Sequence, residues 1–296
     1  MFLPPGFCQH SIQTSLGTMA YYTADTAPWP QTAGKPTLVF LHGFGGGSSA
    51  YEWSRVYPAF ASEYRVLAPD LIGWGRSAHP ERNYKPEDYL TTIREFLEQT
   101  CEGPVPVVAS SLTAALVLRV AIEHPHLFQC LILTTPAGLS DFGENYTRSL
   151  FAQFISIPVL DRLFYSNLVA TNVGIQSFLT QRQFANPDRV DSEIALAYLE
   201  SAQQPNAEYA ALSFVRGDLC FDLSLYVSQL TTPTAILWGE RSQFTGPEIG
   251  RRLAELNPQA IRSFIPLEGV GLTPQLELPA VTIGLIRRYL STLTNP

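Results

Sequence analysis

Charged side chains are scarce in this chain of 296 residues. Only 15% of the residues are Asp, Glu, Lys or Arg, and the formal net charge is −7 at pH 7. No run of basic residues occurs in the sequence. Because binding to a phosphate backbone depends on clustered Lys and Arg, this composition argues against a nucleic-acid-binding protein.

Cysteines are few and widely spaced. The sequence contains Cys8, Cys101, Cys130 and Cys220 and no Cys-x-x-Cys pair. This spacing predicts neither a zinc site nor a disulfide framework, and the thiols are expected to be isolated and reduced. We expect no metal ion and no cofactor.

Long apolar runs are also missing. The longest candidate, residues 114–122, is interrupted by Arg119 and falls short of the roughly 18 apolar residues that suggest a membrane span. The first residues lack the basic start and apolar stretch of a signal peptide. A soluble, cytoplasmic protein without a transmembrane segment is therefore expected.

The chain is rich in apolar residues, which occur in short runs. Hydrophobic residues make up 46% of the sequence and aromatic residues 11%, which excludes disorder. Runs typical of strands covered on both faces occur at residues 37–41, 64–68, 105–109, 131–134, 234–238 and 260–265. Residues 11–14 and 19–23 flank Leu16-Gly17 and predict a hairpin.

Helix-like stretches alternate with the early strands. They lie at residues 86–100 and 112–124. Strands that alternate with helices predict an α/β fold with a mainly parallel sheet flanked by helices, and ligands then bind beyond the carboxyl ends of the strands.

One long interval contains no strand-like run. Residues 137–230 hold only helix-period stretches, at residues 149–154, 159–168 and 190–201. We interpret residues 137–230 as a helical cap inserted into a core of residues 1–136 and 231–296. Aromatic residues in the first half of this cap are expected either to face a ligand or to form the small core of the insertion.

A serine stands where a buried strand changes into a helix. Ser110-Ser111-Leu112-Thr113 follows the strand at residues 105–109, and the helical pattern begins at once. On such a turn the serine backbone is strained, its hydroxyl projects above the sheet, and the next amide points to the same place.

The chain resembles the α/β-hydrolase family over nearly its whole length. The resemblance rests on segments at residues 42–48 (HGFGGGS), 70–77 (DLIGWGRS), 233–240 (PTAILWGE) and 272–277 (LTPQLE), and on the turn at Ser111. It implies that Ser111 occupies the nucleophile position and that the amides of Phe44 and Leu112 occupy the oxyanion-hole positions. Because serine rather than aspartate stands at the turn, the chain is more similar to the esterase, lipase and C–C hydrolase branches than to the dehalogenase and epoxide-hydrolase branches.

Two positions depart from the pattern of the family. The resemblance puts Ser242 where an aspartate usually stands and Leu272 where a histidine usually stands. The histidines of the chain are His10, His42, His79, His124 and His126. With no histidine after residue 126, the family's order of serine, acid and histidine cannot be met, and the triad is degenerate.

Two histidines lie near the functional edge of the predicted sheet. His42 is interpreted as part of the scaffold of the glycine loop at residues 43–47, or alternatively as the base of Ser111. His79 is expected to be an exposed loop residue. The candidate acids are Asp141, Glu240, which is usually a buried structural carboxylate in the family, and Glu268, whereas Asp70 is expected to hold its loop.

These observations leave several functions open. The first is weak hydrolysis of a small apolar ester-like substrate through Ser111. The second is a pseudoenzyme that binds a lipophilic ligand or a protein partner without turnover. A third is a lyase or isomerase step that needs only a shaped pocket and oxyanion donors.

Overall fold

Eight strands form one sheet within the residues that the computed structural model describes, 2–29, 34–143 and 165–294. The strands are β1 (Phe7–Thr14), β2 (Gly17–Ala24), β3 (Thr37–Leu41), β4 (Arg65–Pro69), β5 (Val105–Ser110), β6 (Phe128–Thr134), β7 (Thr234–Gly239) and β8 (Ile261–Leu267). Their order is β1-β2-β4-β3-β5-β6-β7-β8. The pairs β1–β2 and β2–β4 are antiparallel, and the other pairs are parallel.

The main helices in the described ranges are α1 (Pro86–Thr100), α2 (Ser111–Glu123), α3 (Asn172–Phe178), α4 (Ser192–Ala202), α5 (Ala207–Arg216), α6 (Pro247–Glu255) and α7 (Pro279–Thr294). A helical turn, Pro274–Glu277, lies just before α7. The predicted class, an α/β fold with a mainly parallel sheet flanked by helices, is confirmed.

The central strands are apolar because both faces of the sheet are covered. In β5, Val107 and Ala109 belong to the hydrophobic cluster that contains α1 and α2, whereas Val108 belongs to the cluster that contains α7. Successive side chains of a strand point to opposite faces, so a strand between two helical layers buries every residue. This explains why continuous apolar runs, rather than alternating ones, marked these strands.

The predicted hairpin is confirmed and is longer than the sequence pattern indicated. β1 and β2 pair over their whole length, from Phe7 opposite Ala24 to Thr14 opposite Gly17. The turn uses Gly17 at a φ of +120°, a backbone conformation that L side chains rarely adopt. The hairpin joins the sheet through β2 and β4.

The interval between β6 and β7 contains helices and turns, and no strand occurs in its described part. α4 accounts for the predicted stretch at residues 190–201. The predicted stretch at residues 149–154 and the first part of that at 159–168 lie outside the described residues. Across the described chain, no helix is both long and apolar enough to cross a membrane.

Candidate active site

The sheet register brings the loops singled out in the sequence to one edge. Leu41, the last residue of β3, lies opposite Ala109 in β5. Ser110 lies opposite Thr134 in β6, and Thr134 lies opposite Leu237 in β7. Parallel strands end at the same edge, so the glycine loop, the serine turn and the loop after β7 begin side by side.

Ser111 has the backbone of a nucleophile elbow. Its φ is +57°, in the left-handed region that costs a residue other than glycine about 1–2 kcal/mol. Ser110 before it is extended, and α2 begins at Ser111 itself. Ser111 is 8% exposed, and its hydroxyl forms no hydrogen bond with any residue that the structure describes.

The glycine loop runs directly against this turn. A Cβ atom placed on Gly43 would lie 3.2 Å from Cβ of Ser111. Within the described ranges, neither the Phe44 amide nor the Leu112 amide donates a hydrogen bond to another backbone group. Two backbone donors therefore flank the elbow, at the positions that the resemblance assigns to an oxyanion hole.

The Phe44 side chain anchors the glycine loop in the core. Its ring stacks on Trp74 with the centroids 5.2 Å apart and also contacts Tyr89 at 4.6 Å and Phe214 of α5 at 6.3 Å. The indole of Trp74 donates to the Tyr89 hydroxyl at 3.0 Å. Because the ring is fixed in this aromatic cluster, the backbone amide of Phe44 is held in place.

Both ring nitrogens of His42 bind backbone groups. Nε2 accepts a hydrogen bond from the Leu71 amide at 2.9 Å, and Nδ1 lies 2.7 Å from the carbonyl oxygen of Gly43. These partners require the proton on Nδ1. Burial lowers the pKa of His42 from 6.5 to about 4. A neutral ring engaged at both nitrogens has none left for Ser111, so this geometry does not support His42 as its base.

His79 differs from its sequence-based interpretation. It is half-buried rather than exposed, its Nε2 lies 3.1 Å from the carbonyl oxygen of Gly75, and burial lowers its pKa. No local pattern indicates this burial, because the loop around His79 contacts residues that are distant along the chain. Asn206, for example, donates to the His79 carbonyl oxygen at 3.4 Å.

Ser242 and Leu272 lie on neighbouring loops. The amide of Arg241 donates to the carbonyl oxygen of Val270 at 2.9 Å. Leu272 is 5% exposed, and its amide donates to the carbonyl oxygen of Gln183 at 2.9 Å. The Ser242 hydroxyl is buried and has no partner among the described residues. The positions that the resemblance assigns to an acid and a histidine are thus adjacent, but they carry an alcohol and an aliphatic side chain.

A buried glutamate fastens this loop to the interval between β6 and β7. The Glu277 side chain is fully buried and accepts from the amides of Gly271 at 2.6 Å, Ala185 at 3.0 Å and Asn186 at 3.4 Å. Arg189 adds an ion pair at 3.2 Å. We call these contacts the Glu277 clasp. Burial raises the pKa of Glu277, and these donors and Arg189 oppose that rise.

Side chains and backbone from the same interval cover the glycine loop. A Cβ atom added to Gly45 would lie 2.9 Å from Cζ of Phe178. A Cβ atom added to Gly47 would lie 2.1 Å from the carbonyl oxygen of Tyr198. Glycine therefore permits a close approach here. The approaching atoms, however, belong to the chain itself.

The candidate acids do not converge on Ser111. Glu240 and Glu268 are exposed, which for Glu240 corrects the expectation of a buried carboxylate. Asp141 accepts from the amides of Gly138 at 2.9 Å and Leu223 at 2.8 Å, and burial raises its pKa to about 6.

Asp70 holds its loop as expected. It accepts from the amides of Ala50 at 2.7 Å and Arg76 at 2.8 Å and from the hydroxyl of Tyr22 at 2.8 Å. In the described part of the chain, no cluster of three or more His, Cys, Asp or Glu side chains could hold a metal ion.

A buried carboxylate beside the elbow was not among the candidates drawn from the sequence. Glu52 is 1% exposed, and it accepts from the Gly43 amide at 2.8 Å and from the Tyr198 hydroxyl at 3.1 Å. Burial raises its pKa. Ser110, also buried, receives a hydrogen bond from the Gln275 side chain at 3.3 Å. A single acidic residue in the otherwise uncharged segment SSAYEW was the available signal.

Comparison with known proteins decides the family. A family model described as alpha/beta hydrolase fold matches residues 36–269. The chain belongs to this family. Among curated proteins, the hydrolase is 26% identical to Epoxide hydrolase 4 of Mus musculus over 278 residues, which cover 88% of this chain and 75% of the relative. It is 25% identical to Lipase 1 of Psychrobacter immobilis over 263 residues, which cover 88% and 78% of the two chains.

Solved structures show the same fold. The epoxide hydrolase CorEH superposes with a TM-score of 0.77 at 20% identity, over 97% of this chain and 99% of the other. The serine hydrolase CarC, involved in carbazole degradation, superposes with a TM-score of 0.74 at 20% identity, over 96% and 99%. This α/β-hydrolase is therefore related to epoxide hydrolases and lipases by sequence, and its fold recurs in enzymes of several reaction types.

Proposed function

We propose that this α/β-hydrolase binds a small apolar ester-like compound at Ser111 and hydrolyses it weakly or not at all. The observation that carries the proposal is the isolation of the Ser111 hydroxyl. The residue has the strained backbone of an elbow and two flanking amides, yet its hydroxyl has no hydrogen-bonded base within the described residues.

The chemistry follows from this isolation. A neutral hydroxyl needs an adjacent base to become a nucleophile. The amides of Phe44 and Leu112 still offer donors to a carbonyl oxygen or to the anion that forms from it. An oxyanion hole and binding alone sustain roughly 10³ to 10⁴-fold catalysis over water, so turnover through Ser111 is expected to be slow.

The surroundings favour an apolar ligand. Leu272 replaces a histidine at the position implied by the resemblance, and Phe178 and Val169 cover the glycine loop. A serine at the elbow favours an ester over an epoxide or a haloalkane. We assign the covering role to residues 137–230, acting as a cap over the core.

A fluorophosphonate probe tests the proposal. We expect slow labelling of the wild type and none of Ser111→Ala. Restoring acid and base with Ser242→Asp and Leu272→His is expected to raise the labelling rate at least tenfold. The matched control, Ser242→Asn with Leu272→Gln, supplies similar volume without a base and is expected to leave the rate unchanged. Fast ester hydrolysis by the wild type, abolished in Ser111→Ala, would refute weak turnover.

Binding without turnover is the second candidate function. The close contact of Phe178 and Tyr198 with the glycine loop favours it, because a covered site suits retention of a ligand better than rapid exchange of substrate and product. Saturable binding of Nile red, unchanged by Ser111→Ala and without fluorophosphonate labelling of the wild type, is the result expected for a binder. Labelling at Ser111 would contradict a purely binding role.

A further inference from the structure

A buried carboxylate without a cationic partner lies behind the glycine loop. Glu52 is 1% exposed, and no ion pair involves it in the parts of the chain that the structure describes. A buried carboxylate without a cation is costly unless hydrogen bonds compensate it. Its donors are the Gly43 amide of the glycine loop, the Ser48 hydroxyl directly after that loop and the Tyr198 hydroxyl of α4.

Gly43 lies between this carboxylate and the elbow. A Cβ atom on Gly43 would lie 3.4 Å from Oε2 of Glu52, 3.2 Å from Cβ of Ser111 and 3.6 Å from Oγ of Ser110. Glu52 accepts a hydrogen bond from the amide of Gly43. The next amide along the backbone is that of Phe44. Any rotation of the Gly43 peptide would move the Phe44 donor relative to Ser111.

Hydrogen bonds on either side of Gln183, joined by its covalent frame, connect Glu52 with the loop of Leu272. The Leu272 amide donates to the backbone oxygen of Gln183, whose side-chain amide donates to the Tyr198 hydroxyl. Tyr198 donates to Oε1 of Glu52, and Oε2 of Glu52 accepts from Gly43. This path of contacts therefore leads from Leu272, where the resemblance places a histidine, to Gly43 in the glycine loop.

We propose that Glu52 is a positioning residue that holds the Phe44 amide in the geometry for binding a carbonyl oxygen, and that Tyr198 couples this geometry to the packing of α4. The proposal rests on the proposed function, since it assumes that Ser111 and the two amides bind an ester-like ligand. Glu52 acts through the Gly43 peptide and touches no reacting atom.

Fluorophosphonate kinetics test the proposal through the maximal labelling rate and the half-saturating probe concentration. Glu52→Leu, which has no acceptor, is expected to lower the maximal rate at least thirtyfold. It is expected to leave the half-saturating concentration within twofold of the wild type. Glu52→Gln keeps an oxygen for the Gly43 amide and is expected to retain the rate within fivefold.

The coupling to Tyr198 has its own variants. Tyr198→Phe keeps the ring and is expected to lower the maximal rate five- to tenfold, with no further loss when it is combined with Glu52→Leu. The matched control is Tyr51→Phe, because Tyr51 donates to Glu193 of α4 at 2.9 Å but is not connected to Gly43. This control is expected to label like the wild type. An unchanged rate in Glu52→Leu, or additive losses in the double variant, would overturn the proposal.

Amide hydrogen exchange tests the proposal without relying on labelling of Ser111. It is measured in Tyr198→Phe, so it holds even if Glu52→Leu fails to fold. In Tyr198→Phe, exchange of the amides at residues 43–47 is expected to quicken at least tenfold, while the hairpin β1–β2 stays unchanged. Tyr51→Phe is expected to change neither region. Equal exchange in both variants would refute the role of Tyr198. Labelling that persists in Ser111→Ala would refute the proposed function alone and leave this exchange result valid.

Discussion

Two sets of loops meet at the carboxyl edge of the sheet, and different parts of the molecule hold them. The nucleophile half, residues 42–48 and 110–113, is fixed mainly from the core, by both nitrogens of His42 and by the stacked ring of Phe44. The tail half, residues 239–245 and 268–277, is fixed largely from outside the core, by Gln183 and by the donors that converge on Glu277.

Because different contacts hold the two halves, the backbone geometry at Ser111 does not depend on which side chains the tail half carries. Core packing maintains the strained turn at Ser111 whether or not a base is present. In the tail half, the loop of Leu272 is attached to residues 183–189. The Glu277 carboxylate of that loop accepts from the amides of Gly271, Ala185 and Asn186.

The strongest test of this contrast is removal of the Glu277 carboxylate. Glu277→Ala leaves three amides without their carboxylate acceptor, and since each unsatisfied buried donor costs about 1–3 kcal/mol, a total loss of about 4 kcal/mol is expected. Urea unfolding is expected to show this loss. The control Glu63→Ala breaks an exposed ion pair with Arg287 at 2.7 Å and is expected to cost below about 1 kcal/mol. Equal costs would mean that the clasp does not hold the tail half.

A smaller effect is expected from His42, and it depends on pH. The folded pKa is about 4 and the ordinary value is 6.5, so between these values the unfolded chain binds the extra proton. Stability contributed by neutral His42 is therefore complete above pH 6.5 and is lost as the pH falls towards 4. The difference amounts to about 3 kcal/mol.

Unfolding of the wild type and of His42→Gln from pH 7 to pH 4 measures this loss. The stability of the wild type relative to the variant is expected to fall by about 3 kcal/mol across this range. Other titrating groups, including Asp141 with its raised pKa, affect both proteins alike and cancel in the difference. Parallel curves would contradict the scaffold role of His42.

The smallest expected effect is a gain in stability at the elbow. Ser111→Gly relieves the left-handed strain and is expected to stabilise the protein by about 1 kcal/mol. The neighbouring control Ser110→Gly, at an extended φ of −120°, is expected to destabilise it by about 0.5–1 kcal/mol. The midpoint of thermal unfolding is expected to rise in Ser111→Gly and to fall in Ser110→Gly. A loss in both variants would show that the Ser111 hydroxyl contributes a contact to folding.

The strands and the turn at Ser111 were predictable because short stretches of sequence determine them. Every residue of β5 and β7 is buried, so their apolar runs identified a covered sheet, and the abrupt change from strand to helix identified the turn at Ser111. The loop-holding role of Asp70 followed from its place after β4.

The features that sequence reasoning missed depend on distant partners. Glu52 meets Tyr198, which lies 146 positions away, and Glu277 meets residues 185–189. The spacing of residues within one helix or strand does not indicate which distant residues will meet in the fold. The glycine loop allows a close approach, but its composition does not reveal whether the approaching atom belongs to a ligand or to the chain.

The point at which the chain leaves the sheet has a mechanical consequence. Residues 135–233 depart from β6 and return at β7, and β6 lies between β5 of the nucleophile half and β7 of the tail half. Both ends of this interval therefore join the sheet where the two halves meet. Its described residues contact both halves, at Gly47 through Tyr198 and at Gly271 through Gln183, so a displacement of these residues would disturb both loops at once.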